Sequence, residues 1–67
     1  MLNKSKIAKV IASLRKKQGL SQEKIARLAD VSNNTIINIE AGKNQNPTMV
    51  TLKKIAKALN VPIEELL

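Results

Sequence analysis

The chain has 67 residues, with 12 Lys and Arg against 5 Asp and Glu, a net charge of +7, and no cysteine, histidine or aromatic residue. Disulfides and the usual zinc sites are thereby excluded, so a domain this small, which buries only about 60% of its unfolded surface, must rely on tidy helix packing or dimerisation. The charge points to a polyanionic partner, nucleic acid or an anionic membrane surface, while the absence of aromatics argues against modules that stack single-stranded bases.

Residues 1–67 are expected to form one domain. Lys4, Lys6, Lys9, Arg15, Lys16 and Lys17 all precede the first acid, Glu23. No apolar run approaches the ~20 residues of a membrane span. The N-terminus carries lysines but no apolar core of a signal peptide, and the lack of cysteine fits a reducing cytosol.

After a polar lead-in over residues 1–5, Ile7, Val10, Ile11 and Leu14 repeat as one stripe of an amphipathic helix. Ser5 is its expected N-cap and Gly19 its left-handed stop. Lys16 and Lys17 suit the negative end of its dipole, and Leu20 is expected to fold back on the core. A second helix is predicted from Gln22 to Ala29, capped by Ser21, with Ile25 and Leu28 as its large apolar residues and Ala26 small enough for a close crossing. Asp30 ends it, since aspartate tolerates the left-handed conformation. A third helix follows from Asn33 to Ala41, capped by Ser32 and closed by Gly42. The polar loop Lys43–Pro47 leads to a fourth helix, Met49 to Leu59, capped by Thr48 with the stripe Leu52, Ile55, Ala56 and Leu59. Its lysines, Lys53, Lys54 and Lys57, form a solvated face. Asn60 is a left-handed cap, and Pro62 is placed to open a last short helix, Pro62–Leu67. The period is helical throughout, so the fold class is all-α.

The organising stretch is Ser21–Gly42, two short helices joined by the tight turn Asp30-Val31-Ser32. Ile36 and Ile39 give the second of these a buried edge, while Asn33, Asn34 and Asn38 line another. A helix of this kind can lie in a DNA groove and read base edges.

These landmarks are Arg15, Gly19-Leu20-Ser21-Gln22, Ile25-Ala26, Ala29, Val31-Ser32, Thr35-Ile36, Ile39-Glu40, Gly42-Lys43, Pro47, Leu52, Ala56, Leu59 and Glu65-Leu66-Leu67. At this spacing, over about residues 7–67, the chain resembles the lambda-repressor/Cro-like helix-turn-helix family. The resemblance implies a compact five-helix domain whose helix-turn-helix is helices two and three, a usual dimer, and a palindromic DNA operator. It implies that Gln22 contacts a phosphate, that Asn33, Asn34, Ile37 and Asn38 face base edges, and that Arg15 and Glu40 form an internal salt bridge. Lys43 and the loop after it correspond to a segment that touches the sugar-phosphate backbone, and the dimer contact lies near the fifth helix, making Val61 and Leu67 the interface candidates. The chain departs from the family pattern in Asp30, where glycine is frequent, in Ile37, usually polar, and in lacking arginine or glutamine among the base-facing residues. No family operator sequence therefore carries over.

Asparagine can bond adenine N6 and N7 together, although Asn33 and Asn34 are also ordinary residues near a helix start. Ile37 lies off the core face; it is either a contact to a thymine methyl or a scattered exposed apolar residue. Gln22 and Ser32 sit where helix N-termini attract phosphate. Lys43, Asn44 and Asn46 form either a phosphate-following loop or an ordinary solvated one.

The leading expectation is a sequence-specific regulator of transcription that binds double-stranded DNA as a homodimer, without cofactor or metal, in the cytoplasm at the nucleoid. Enzymatic chemistry is not expected, because the usual bases and nucleophile pairs are missing. Membrane binding by the basic helix 6–17 would take Ile7, Val10, Ile11 and Leu14 away from the core. An antitoxin-like module, whose main partner is another protein, is the alternative compatible with every residue.

Overall fold

The computed structural model describes residues 6–67, so the expected Ser5 cap lies outside the described residues. Four α-helices follow in order: α1 Lys6–Lys17, α2 Gln22–Ala29, α3 Asn33–Glu40 and α4 Met49–Leu59, then a 3₁₀ turn at Ile63–Glu65. The predicted fifth α-helix is thus a single tighter turn. Its bonds run from Glu65 N–H to Pro62 C=O, Leu66 to Ile63 and Leu67 to Glu64, at 2.9–3.2 Å. Six residues are too few to repay the cost of nucleating an α-helix, and the tighter turn drives Leu66 fully into the core.

Side chains start three of the helices. Ser21 Oγ accepts from Lys24 N–H at 3.0 Å, Ser32 Oγ from Thr35 N–H at 3.0 Å, and Thr48 Oγ1 from Thr51 N–H at 3.2 Å. Each satisfies an otherwise orphaned donor of the first turn.

All four α-helices end in the same way. A left-handed residue, Gly19, Asp30, Gly42 or Asn60, follows the last turn with φ between 57° and 80°. The next residue's N–H then reaches back to Arg15, Ala26, Asn38 or Ala56, at 2.9–3.0 Å. This is the Schellman motif, in which the residue after the left-handed one commonly makes an apolar contact. Here that residue is Leu20, Val31 and Val61 in three cases, all packed against the core. In the fourth it is Lys43, which is exposed. The chain therefore folds back after α1, α2 and α4, and after α3 it runs outward into the polar loop.

The core is isoleucine, leucine and alanine: Ile11, Ile25, Ile36, Ile39, Ile55, Leu59 and Leu66 are fully buried, with Ala26, Ala29, Leu52 and Ala56 around them. Helix α2 packs on both α3 and α4, and α1 packs chiefly on α3. On α1 the deepest positions are Ala8 and Ile11, whereas Ile7, Val10 and Leu14 are only partly buried. On α2 the buried face is Ile25, Ala26 and Ala29, and Leu28 is 51% exposed. At about 100° per residue, Ala26 and Ala29 lie to one side of Ile25 and Leu28 to the other, and the small residues take the buried side.

One polar cluster ties three helices together. Arg15 on α1 donates from Nε to Glu40 Oε2 at 2.7 Å and from Nη2 to Glu40 Oε1 at 2.9 Å. Its Nη1 donates to the Leu20 carbonyl at 2.7 Å. Gln22, the first residue of α2, donates from Nε2 to Glu40 Oε1 at 3.0 Å. Glu40 is the last residue of α3, and the two charged side chains are only 11% and 7% exposed. Burial alone pushes the Glu40 carboxyl up, but the hydrogen bonds from Arg15 and Gln22, with the positive charges of Arg15 and Lys16, outweigh it and hold the carboxyl below its ordinary range. Arg15 is held above its usual value, chiefly by its hydrogen bond to Glu40.

Glu40→Ala strands a guanidinium in a nearly closed site, and the expected loss is about 3 kcal/mol, read as a lower urea midpoint. Because the folded carboxyl titrates below the unfolded one, its contribution is complete above the unfolded value of about 4.3 and is lost as pH falls through the folded value. Wild type should therefore lose stability in acid more steeply than Glu40→Gln, as checked by urea titrations from pH 7 to pH 3. At Gly19, φ is +72° and an added Cβ would meet nothing within 4 Å. Gly19→Ala should therefore cost the left-handed strain alone, about 1–2 kcal/mol, with an unchanged fold by NMR.

Candidate nucleic-acid interface

Helix α3 is divided by burial into two faces. Ile36, Ile39 and Glu40 point inward, while Asn33, Asn34, Ile37 and Asn38 are exposed. Asn34, Ile37, Asn38 and the exposed Ala41 fall on one continuous stripe at the spacing i, i+3, i+4, i+7. Asn33 stands at its flank, on the first turn. Ile37 is 36% exposed, so it presents a partly supported methyl surface between two amides.

The stripe has a rigid base. Ile36 and Ile39 anchor α3 in the core, and Glu40 is locked by Arg15 and Gln22. At the other end Ser32 caps the helix, its hydroxyl also sharing a 2.7 Å hydrogen bond with Thr35 Oγ1. Ser32 is therefore engaged by its own helix, with the hydroxyl left exposed. Gln22 is half-buried and uses one amide N–H on Glu40; a primary amide carries two, so the second is available to a phosphate oxygen.

The loop after α3 folds back over that helix's C-terminus. Asn38 C=O accepts from both Lys43 N–H and Asn44 N–H, at 2.9 and 3.1 Å. Asn44 Oδ1 accepts from Asn46 N–H at 3.1 Å, and Pro47 is buried. The loop is thus built, not slack. It carries the side chains of Lys43, Asn44 and Asn46, all exposed, to one end of the asparagine stripe. With its oxygen occupied, Asn44 offers its NH₂ as a donor, the polarity that a phosphate requires.

The structure adds Lys16 to the expected set. A shallow hollow of about 310 Å³ beside α3 is lined by Lys16 with Ala12, Arg15, Gln22, Ile37, Glu40 and Ala41. Lys16 therefore borders the stripe at Ile37. The signal in the sequence was its place next to Arg15, whose partner is on α3. The interface candidates differ in exposure: Leu67 is 50% exposed, whereas Val61 is half-buried as the apolar residue of the α4 cap. Among the described residues, no group of acidic side chains is arranged to hold a metal ion, and no helix is long and apolar enough to cross a membrane.

The helix-turn-helix family model matches residues 11–66. The chain is 39% identical over 56 residues to an HTH-type transcriptional regulator of Archaeoglobus fulgidus, covering 84% of this chain and 79% of that protein. It is 41% identical over 56 residues to the cryptic phage CTXphi transcriptional repressor RstR of Vibrio cholerae, covering 84% of this chain and 50% of the repressor. Among solved structures, the restriction-modification controller protein C.AhdI from Aeromonas hydrophila superposes with a TM-score of 0.87 at 32% identity, covering 92% of both chains. An HTH_3 family transcriptional regulator from Vibrio cholerae superposes with a TM-score of 0.86 at 39% identity, covering 92% of this chain and 34% of that one. A helix-turn-helix at α2–α3, a polar stripe facing outward and a family match across nearly the whole described chain agree: the protein belongs to the lambda-repressor/Cro-like helix-turn-helix family of DNA-binding transcriptional regulators.

Proposed function

We propose that the protein binds a palindromic operator as a homodimer, in the cytoplasm at the nucleoid, with α3 of each copy in the major groove. The carrying observation is the stripe Asn34, Ile37 and Asn38 on a helix whose opposite face is anchored and whose end is locked at Glu40. Asn33, Asn34 and Asn38 read adenine edges and Ile37 packs on a thymine methyl, so the half-site is weighted toward A·T pairs. Gln22, Ser32, Lys43, Asn44 and Asn46 hold the sugar-phosphate backbone on either side, and Lys16 adds attraction at the edge of the stripe. The two copies of α3 stand about one duplex turn apart, ~34 Å.

Selection of bound duplexes from a random pool should return A·T-rich half-sites in inverted repeat. A pool with no enrichment overturns the reading. On the selected site, Asn38→Ala should weaken binding by about 1–3 kcal/mol and relax preference at one position, with the melting temperature unchanged. Replacing the contacted thymine by uracil should weaken wild type much more than Ile37→Ala; equal losses would remove Ile37 from the reading set. With roughly six to ten phosphates neutralised per dimer, affinity should fall about 10³–10⁵-fold between 50 and 200 mM salt, as measured by fluorescence anisotropy.

A further inference from the structure

The fold engages some of its amide side chains and leaves others unengaged. Gln18 donates from Nε2 to the Leu59 carbonyl at 2.7 Å, Gln22 donates from Nε2 to Glu40 Oε1 at 3.0 Å, and Asn44 Oδ1 accepts from Asn46 N–H at 3.1 Å. Among the described residues, the side chains of Asn33, Asn34 and Asn38 make no hydrogen bond, and all three are exposed. Each keeps both halves of its amide, the Oδ1 acceptor and the Nδ2 donor, for a group outside the chain.

An amide with both halves open has one matching edge in the major groove. Adenine sets a donor, N6–H, beside an acceptor, N7, whereas guanine sets two acceptors, O6 and N7, which suit arginine or lysine. No arginine or lysine lies among Asn33, Asn34, Ile37, Asn38 and Ala41, so the polar readout of the stripe runs through the N6 hydrogen. That hydrogen is the one base pairing leaves over, since the other is given to thymine O4. A methyl group on N6 replaces one of the two. Pairing with thymine keeps the remaining hydrogen, so the methyl is turned into the major groove beside N7. Oδ1 then faces a carbon where it needs a donor, and an oxygen seated about 2.9 Å from N6 leaves no room for a carbon between them.

The helix cannot shift locally to admit that methyl. Ile36 and Ile39 are fully buried, and Glu40 is held by Arg15 and Gln22, so α3 makes room only by withdrawing as a unit. A methyl at thymine C5 meets Ile37 and is favoured; a methyl at adenine N6 meets an amide and is refused. We infer that the asparagine stripe discriminates the methylation state of its operator: it holds half-sites whose contacted adenines carry an unmodified N6 amino group and releases those methylated at N6. This rests on the A·T reading above and adds a control to it, because the DNA is switched without a change in its base sequence or in the protein.

The test uses synthetic duplexes of the selected operator with single adenines replaced, read by fluorescence anisotropy. N6-methyladenine at a contacted position should raise the wild-type Kd about tenfold or more, and at adenines outside the half-sites should leave it unchanged. The alanine variant matched to that adenine, among Asn33→Ala, Asn34→Ala and Asn38→Ala, should lose almost nothing further, because no amide is left to displace. All three side chains are exposed, so circular dichroism melts should match wild type. 7-Deazaadenine, which keeps both N6 hydrogens and lacks the N7 acceptor, reports on the reading alone and should weaken wild type at the same position. If 7-deazaadenine weakens binding while N6-methyladenine leaves it unchanged, or tightens it by packing on Ile37, the inference is overturned and the reading stands. Equal losses in wild type and in every alanine variant also overturn it, since the methyl then acts without the amides. If neither modification matters at any adenine, the A·T reading itself falls, and the inference with it.

Discussion

The carboxylate of Glu40 is the point on which the rest of this structure turns. It sits at the end of the helix that presents the asparagine stripe, and it is gripped by Arg15 from α1 and Gln22 from α2. A core of aliphatic side chains supplies most of the driving force but little orientation, because apolar burial is non-directional. The fork geometry between guanidinium and carboxylate is directional. It adds a specified rotation of α3 to a packing that isoleucines alone would hold less strictly. The same arginine closes the cap of α1 through the Leu20 carbonyl, so the end of one helix, the start of the next and the end of the reading helix are set by one cluster.

A domain without aromatics, disulfides or metal has few other means of achieving this. Its core residues are branched or small, and the helix ends carry much of the specification. Three side-chain caps and four left-handed terminations direct the chain with local hydrogen bonds. The pattern of the terminations has a functional consequence. Where the residue after the left-handed position is apolar, the chain returns to the core; where it is Lys43, the chain leaves it.

Charge is distributed with comparable economy. Glu40 is consumed by the fold, and Glu23 and Asp30 serve α2. Glu64 and Glu65, on the last turn, form no ion pair among the described residues. Membership of the helix-turn-helix family accounts for the reading helix and its support.

Much of the architecture was legible in the residues themselves. Helical period, Ser21, Ser32 and Thr48 at helix starts, and Gly19, Asp30 and Asn60 at helix ends are local signals, and local hydrogen bonding reads them out without reference to the rest of the chain. The outward face of α3 was equally legible, since Ile36 and Ile39 leave only one side free. What the sequence could not settle alone were outcomes decided by neighbours. Ile7, Val10, Ile11 and Leu14 share one stripe of α1, yet only Ile11 of the four is fully buried, because the depth of each position is set by the helices that cross it. The last helix shrank to a 3₁₀ turn because burying Leu66 mattered more than completing an α-helical turn. Gln22 and Lys16 took their places beside Glu40 and Ile37 only once three helices met. Periodicity determines which residues can share a face; only the packed structure decides how deeply each of them is buried and which side chains from distant helices meet around one carboxylate.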